Sequence, residues 1–160
     1  MPIKVGERLP EAKFRVMTPE GPAWKTTDDM FKGKKVALFA VPGAFTSTCH
    51  RTHVPSIVEN AAALKAKGVN TIAVTSVNDV FVMDAWQKAS GADNVEFLAD
   101  GNADFTKAVD LAFDASGNGL GIRSRRYAML VDDGVVKMLN IEEAPGKVEV
   151  SGGGALLKQL

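Results

Sequence analysis

Residues 35–41, Lys-Val-Ala-Leu-Phe-Ala-Val, form an almost unbroken apolar run. A strand that faces water on one side alternates, so a run without alternation is covered on both faces. Pro42 and Gly43 follow at once. Then comes a helical spacing over residues 48–66, with Val54, Ile57, Val58, Ala61, Ala62 and Leu64 on one side and Gly68 just past the end. A buried strand, a tight loop and an amphipathic helix in that order require an α/β layer structure. The helix covers one face of the sheet, and another element must cover the other.

The rest of the chain divides in the same manner. Residues 14–17 and 23–26 flank Thr-Pro-Glu-Gly-Pro and predict a hairpin. Thr27 or Asp28 is expected to cap a short helix that ends near Gly33. Residues 69–77 predict a strand, and Asn78 or Asp79 caps a helix to about Ala89. Residues 95–99 predict a strand and residues 104–109 a short helix. Residues 126–131 and 135–139 predict strands about the Asp132-Asp133-Gly134 turn, and residues 155–159 a terminal helix. The expected architecture is one domain over residues 1–160. It has a mixed central sheet, helices on both faces and an N-terminal hairpin.

Lysine plus arginine and aspartate plus glutamate balance at 19 each. This charge provides no electrostatic reason to expect nucleic acid or an anionic membrane as partner. No apolar run reaches the length of a membrane span. The first residues lack the apolar stretch of a signal peptide and the arginine-rich, acid-poor character of a transit peptide. With a single cysteine in 160 residues, no internal disulfide can form, which suits a reducing compartment. A cytoplasmic protein is the expectation.

That cysteine, Cys49, lies in Val-Pro-Gly-Ala-Phe-Thr-Ser-Thr-Cys-His-Arg-Thr-His-Val-Pro, at the junction of the strand and the helix. An ordinary thiol is only a few per cent ionised at neutral pH, and a helix N-terminus or a nearby cation favours the thiolate. A helix that starts near Ser47 puts Cys49 in its first turn, close to unpaired backbone N–H groups. Pro42 stiffens the loop and Gly43 lets it turn tightly. Thr46 places a hydroxyl where it can donate to a thiolate or to an incoming oxygen. Many lone cysteines are inert core residues, but a core cysteine requires neither a Pro-Gly loop nor a Thr-Ser-Thr flank.

The run Pro-Gly-Ala-Phe-Thr-Ser-Thr-Cys resembles the peroxiredoxin signature. With Thr52-His53 and Pro55 after it, the pattern is similar to the type-five and plant type-II subgroup. The resemblance extends over nearly the whole chain, through Thr-Ile-Ala-Val-Thr-Ser-Val-Asn-Asp, Phe-Leu-Ala-Asp-Gly and Ser-Arg-Arg-Tyr-Ala-Met-Leu. It implies a thioredoxin-like fold and a thiol peroxidase without metal, haem, flavin or other cofactor. Cys49 would attack a hydroperoxide and become a sulfenic acid. Pro42 would shield the sulfur, Thr46 would hydrogen-bond the peroxide, and Arg126 would stabilise the thiolate and the transition state. The N–H groups of Cys49 and of Gly43 or Ala44 would help hold the peroxide oxygens.

Several relatives carry a second, resolving cysteine, and the C-terminal form of that pattern places Val150 at its position. The chain therefore resembles a one-cysteine enzyme resolved by an external thiol, with glutathione and glutaredoxin expected first and thioredoxin second. Homodimers that pair through the active-site face are expected. A peroxide-sensing redox relay without high turnover is the alternative.

Four residues beyond Cys49, His53 shares its helix face. A Cys–His hydrolase pair lacks an orienting acid, so His53 is expected to support the arginine or to sit satisfied in the core. His50 is expected to point to solvent. The cysteine and two histidines span too short a stretch to close a tetrahedral metal site. Phe45, Phe113, Leu120 and Ile122 read as an apolar wall for organic hydroperoxides, or as ordinary core or a dimer interface. Trp86 fits a helix that packs near the site. Gly117, Gly119 and Gly121 lack the strand-to-helix setting of a phosphate loop. Arg123 and Arg125 read as a solvated strand edge.

Overall fold

The computed structural model describes residues 1–160. Strand β1 (Lys13–Thr18) pairs antiparallel with β2 (Gly21–Thr26), forming the predicted hairpin. Helix α1 (Thr27–Phe31) is capped by Thr26, one residue before the expected cap. Thr26 Oγ1 accepts from Asp29 N–H while the Asp29 carboxylate accepts from Thr26 N–H, a reciprocal capping box. Thr27 is buried instead, and its hydroxyl accepts from Ala12 N–H.

Next come β3 (Lys35–Ala40), a widened helical turn (Cys49–His53), α2 (Val54–Ala66), β4 (Thr71–Ser76) and α3 (Val80–Ala89). Asp79 caps α3 by accepting from Val82 N–H. The chain continues through β5 (Glu96–Ala99), α4 (Asp104–Ala108), β6 (Ala112–Asp114), β7 (Ile122–Ser124), β8 (Tyr127–Asp132), β9 (Val135–Ile141) and α5 (Gly153–Lys158). No helix is long and apolar enough to cross a membrane.

The main sheet has the order β2-β1-β5-β4-β3-β8-β9. Strands β3, β4 and β5 run parallel, and the remaining pairings are antiparallel. It is a mixed sheet with helices on both faces, the α/β architecture that the strand, loop and helix order predicts. The alternation of β3 divides the core. Ala37, Phe39 and Val41 point to a cluster with Ile57 and Leu64 of α2, Met83 and Trp86 of α3, and Leu156 of α5. Val36, Leu38 and Ala40 point to a second cluster with Met30 and Phe31 of α1 and Phe105 of α4. Each large aliphatic side chain so buried contributes roughly 1.5–3 kcal/mol. Gly153 lets α5 lie against α2: a Cβ there would stand 2.5 Å from the Ser56 carbonyl oxygen.

Strand β8 opens at Tyr127, so Arg126 stands at its entrance and not within it. The alternation still holds, since Tyr127 points to the second cluster and Ala128 to the first. Arg126 therefore faces the side that carries α2. The two-stranded β6–β7 hairpin was not visible in the sequence, because three-residue strands are too short to show a period. Gly119, at φ +74°, turns within the loop that joins them.

Candidate active site

Helical backbone begins at Ser47, so Cys49 occupies the first turn, as predicted. The loop before it is held by Gly43, whose carbonyl accepts both the Thr46 N–H at 3.3 Å and the Thr46 hydroxyl at 2.7 Å. A Cβ on Gly43 would lie 2.9 Å from Thr46 Cγ2, so glycine permits this close approach. Phe45 takes the left-handed region at φ +62°, an uncommon conformation for an aromatic residue and a local strain. Residues Cys49–His53 widen into a π-turn in which Val54 N–H donates to the Cys49 carbonyl. Pro55 accounts for the widening: it has no N–H for the carbonyl four residues back, so the regular ladder is interrupted there. Such turns recur at functional sites.

Cys49 is completely buried and Arg126 is 2 % exposed. The guanidinium of Arg126 donates to Cys49 Sγ at 3.1 Å, to His53 Nδ1 at 2.8 Å and to the Pro145 carbonyl at 2.9 Å. None of the chain's ion pairs includes Arg126. Of its three acceptors, only the sulfur can carry negative charge. A buried cation is costly unless it is compensated, and the guanidinium is fixed where it can stabilise negative charge that develops on the sulfur.

An arginine only donates, so His53 Nδ1 must be the acceptor. Nε2 then carries the proton and donates to the Ser151 carbonyl at 2.7 Å. Burial, aided by the adjacent Arg126 charge, lowers the His53 pKa to about 4. The imidazole is thus a neutral prop for the arginine and not a general base near neutral pH. The unfolded chain binds a proton at His53 below about pH 6.5, which the folded chain refuses until about pH 4, so stability falls as pH falls through this window. The expected loss approaches about 3 kcal/mol. Urea unfolding from pH 7 to pH 4.5 should show it, and His53→Asn, which keeps an acceptor toward Arg126, should flatten the profile. Identical profiles would contradict the assignment.

Residues 142–151 form a strap that supplies the carbonyls of Pro145 and Ser151. Glu142 organises it: its Oε2 accepts the N–H groups of Glu149, Val150 and Ser151 at 2.8 Å each and the Ser151 hydroxyl at 2.6 Å. Burial opposes ionisation of Glu142, but these four bonds outweigh it and hold its carboxyl below the usual range. Sequence reasoning passed over Glu142 and Ser151 because nothing local distinguishes them from other residues of a polar loop.

A cavity of about 200 Å³ opens beside the cluster, lined by Pro42, Thr46, Phe113, Leu120, Arg126 and Pro145 among others. Cys49 does not line it, but Arg126, which touches the sulfur, does. Gly43, Ala44 and Phe45 are not in its wall. The Ala44 N–H is not free to hold a peroxide, because it already donates to Asn78 Oδ1 at 2.9 Å. Likewise the Thr46 hydroxyl proton is committed to the Gly43 carbonyl, which leaves the oxygen's lone pairs as its free hydrogen-bonding capacity. Phe45, Leu120 and Ile122 are exposed at 48 %, 36 % and 41 %, which removes the reading of these three as core.

Arg123 belongs to the site's rim rather than to a solvated edge. Its Nε donates to the Leu120 carbonyl at 2.9 Å and its Nη1 reaches the Pro42 carbonyl at 3.4 Å. Nor does His50 point to solvent. It is half-buried, and its Nδ1 accepts from Trp86 Nε1 at 3.0 Å. The two histidines thus turn to different partners, and no group of three or more His, Cys, Asp or Glu side chains is placed to hold a metal.

The redoxin family model matches residues 4–157. Peroxiredoxin-2E-2 of Oryza sativa, a chloroplastic protein, is 46 % identical, covering 99 % of this chain and 72 % of its own length. Peroxiredoxin-2C of the same organism is 47 % identical over 99 % of both chains. The crystal structure of reduced Prx3 from Vibrio vulnificus in complex with hydrogen peroxide superposes with a TM-score of 0.94 at 50 % identity, covering 98 % of each chain. The chain belongs to the peroxiredoxin family.

As a peroxiredoxin it is a thiol-dependent peroxidase with the thioredoxin-like fold. This peroxiredoxin has one cysteine, and it is a free thiol. Val150 is an exposed residue of the strap that Glu142 holds.

Proposed function

We propose that Cys49 is the peroxidatic residue and that it reduces hydrogen peroxide and organic hydroperoxides with help from Arg126, Thr46 and Pro42. The observation that carries this reading is the 3.1 Å bond from the buried Arg126 guanidinium to the buried Cys49 sulfur. The thiolate attacks the distal peroxide oxygen, the O–O bond breaks, and water or an alcohol leaves. Arg126 follows the negative charge from sulfur to the departing oxygen, which is where fixed donors lower a barrier most. Thr46 accepts from the peroxide O–H and orients it. Phe113 and Leu120, on the cavity wall, suit the carbon chain of an organic hydroperoxide.

A lone cysteine leaves the sulfenic acid to an external thiol. Glutathione with glutaredoxin is the proposed reductant, ahead of thioredoxin. The need for such a reductant also supports a cytoplasmic setting. The exposed Phe45, Leu120 and Ile122 support a homodimer that pairs through this face.

The test is intact mass after a brief pulse of one equivalent of hydrogen peroxide in the presence of a sulfenic-acid trap. One trap adduct at Cys49, absent when glutathione is added before the trap, is the expected result; no modification over minutes would defeat the proposal. Thr46→Val should slow peroxide consumption about 10- to 100-fold with little change in the unfolding midpoint, since one orienting hydrogen bond is lost. Full activity in that variant would dismiss the role given to Thr46.

A further inference from the structure

The reading of Cys49 as peroxidatic, with an external thiol as reductant, raises a question of access. The sulfur is completely buried, and the neighbouring cavity of about 200 Å³ does not include it in its wall. A peroxide is small enough to be admitted between Thr46 and Arg126. A reducing thiol must bring its own sulfur into line with the Sγ–O bond, which the closed turn does not allow. Reduction therefore requires the turn to open, and whatever holds the turn shut sets the reduction rate.

Few side chains hold residues 47–51 to the rest of the fold. Cys49 is held by Arg126, and the Thr48 hydroxyl makes a long 3.4 Å contact to the Gly146 carbonyl. The third tie is the 3.0 Å bond from Trp86 Nε1 to His50 Nδ1. Trp86 is completely buried in α3 and anchored edge-on by Phe97 at 5.3 Å, so it is a fixed post. The imidazole of His50 lies 5.6 Å from the ring of Phe45, which is itself 6.3 Å from Trp86. The strained Phe45 and the residue after the nucleophile are thereby fastened to one indole.

We infer that His50 is a positioning residue: its bond to Trp86 latches the Cys49 turn, and the strength of this latch sets how the sulfenic acid divides between reduction and further oxidation. Reduction takes place from the open turn. A thiol sulfur bonds to Sγ as the Sγ–O bond breaks, the oxygen leaves as water with the thiol proton, and a second thiol cleaves the mixed disulfide, so two thiols are oxidised to one disulfide. Further oxidation takes place in the closed turn, where Arg126 is in place. The sulfenate sulfur attacks a second peroxide, its O–O bond breaks, and sulfinate and water result. A weaker latch raises the population of the open turn and leaves closed-state chemistry as it was.

The experiment compares wild type, His50→Ala and His50→Asn. The asparagine Oδ1 stands where Nδ1 stood and keeps an acceptor for Trp86. Three quantities are measured: the rate of sulfenic-acid formation with hydrogen peroxide, the rate of its reduction by glutathione, and the sulfinic-acid yield by mass when both reagents are present. In His50→Ala, reduction should be about fivefold faster and the sulfinic yield about fivefold lower, the effect of one net hydrogen bond on the opening equilibrium. The first oxidation should stay within about twofold of wild type. His50→Asn should return both altered quantities toward wild type. A wild type that cycles normally, with His50→Ala indistinguishable from it or His50→Asn behaving as His50→Ala, would overturn the latch alone. A wild type that forms no sulfenic acid at Cys49 would overturn the reading of the site and the latch with it.

Discussion

Cys49→Ser should abolish peroxide turnover while the fold persists. Sγ lies in a fully buried position against Arg126, and a serine hydroxyl is nearly isosteric, so packing and the guanidinium bond both have a substitute. What is lost is nucleophilicity: a hydroxyl is a far weaker nucleophile than sulfur unless a base takes its proton, and this active site holds no free base to do so. Of the two imidazoles nearby, His53 spends Nδ1 on Arg126 and its Nε2 proton on Ser151, and His50 spends Nδ1 on Trp86. The expected loss is more than about 10³-fold, to the uncatalysed background. Peroxide consumption in the presence of excess thiol, together with the urea midpoint, tests it. Residual turnover above background in Cys49→Ser would mean that another group carries the chemistry.

Arg126→Gln should cost about 10²- to 10³-fold in kcat/KM for hydrogen peroxide, the range for removal of a preorganised donor from a developing charge. The variant also tests the framework. Arg126 satisfies His53 Nδ1 and the Pro145 carbonyl as well as the sulfur, and glutamine can reach at most part of this set. A buried acceptor left unpaired costs about 1–3 kcal/mol, so the urea midpoint should fall too. Arg126→Lys keeps the charge but not the fork and should rescue little, because an ammonium cannot span three acceptors in one plane. Wild-type kinetics in Arg126→Gln would exclude the residue from the chemistry. Wild-type kinetics in Arg126→Lys would show that charge alone suffices.

The two substitutions test residues of different legibility. Cys49 was readable because its setting is local: an apolar strand, a Pro-Gly loop and a helical period lie within a few residues on either side, and each is set by nearest-neighbour sterics and side-chain spacing. The same holds for the Asp79 cap and the Asp132-Asp133-Gly134 turn. Arg126 is singled out from three clustered arginines by the resemblance alone, and the alternation of β8 places it on the side of the sheet that carries α2. The errors share one cause. Nothing near His50 in the chain signals a partner for it, since Trp86 is 36 residues away. Ala44 was offered as a free donor because Asn78, which occupies it, is 34 residues away.

The sequence alone determined the alternation of elements, the two-sided burial of β3 and the presence of a thiol in the first turn of a helix. Backbone sterics, capping and apolar periodicity act over one or two turns of chain and need no knowledge of the rest. Only the tertiary structure decided what surrounds that thiol. Arg126 reaches the sulfur across 77 residues, and Ser151 reaches His53 across 98. The strap that joins them is shaped by one carboxylate, Glu142, collecting four donors. A hydrogen bond is specified by distance and angle in space, and burial makes an unpaired charge costly wherever its partner lies in the chain. Those constraints come into force only when the sheet and its helices have brought the partners together.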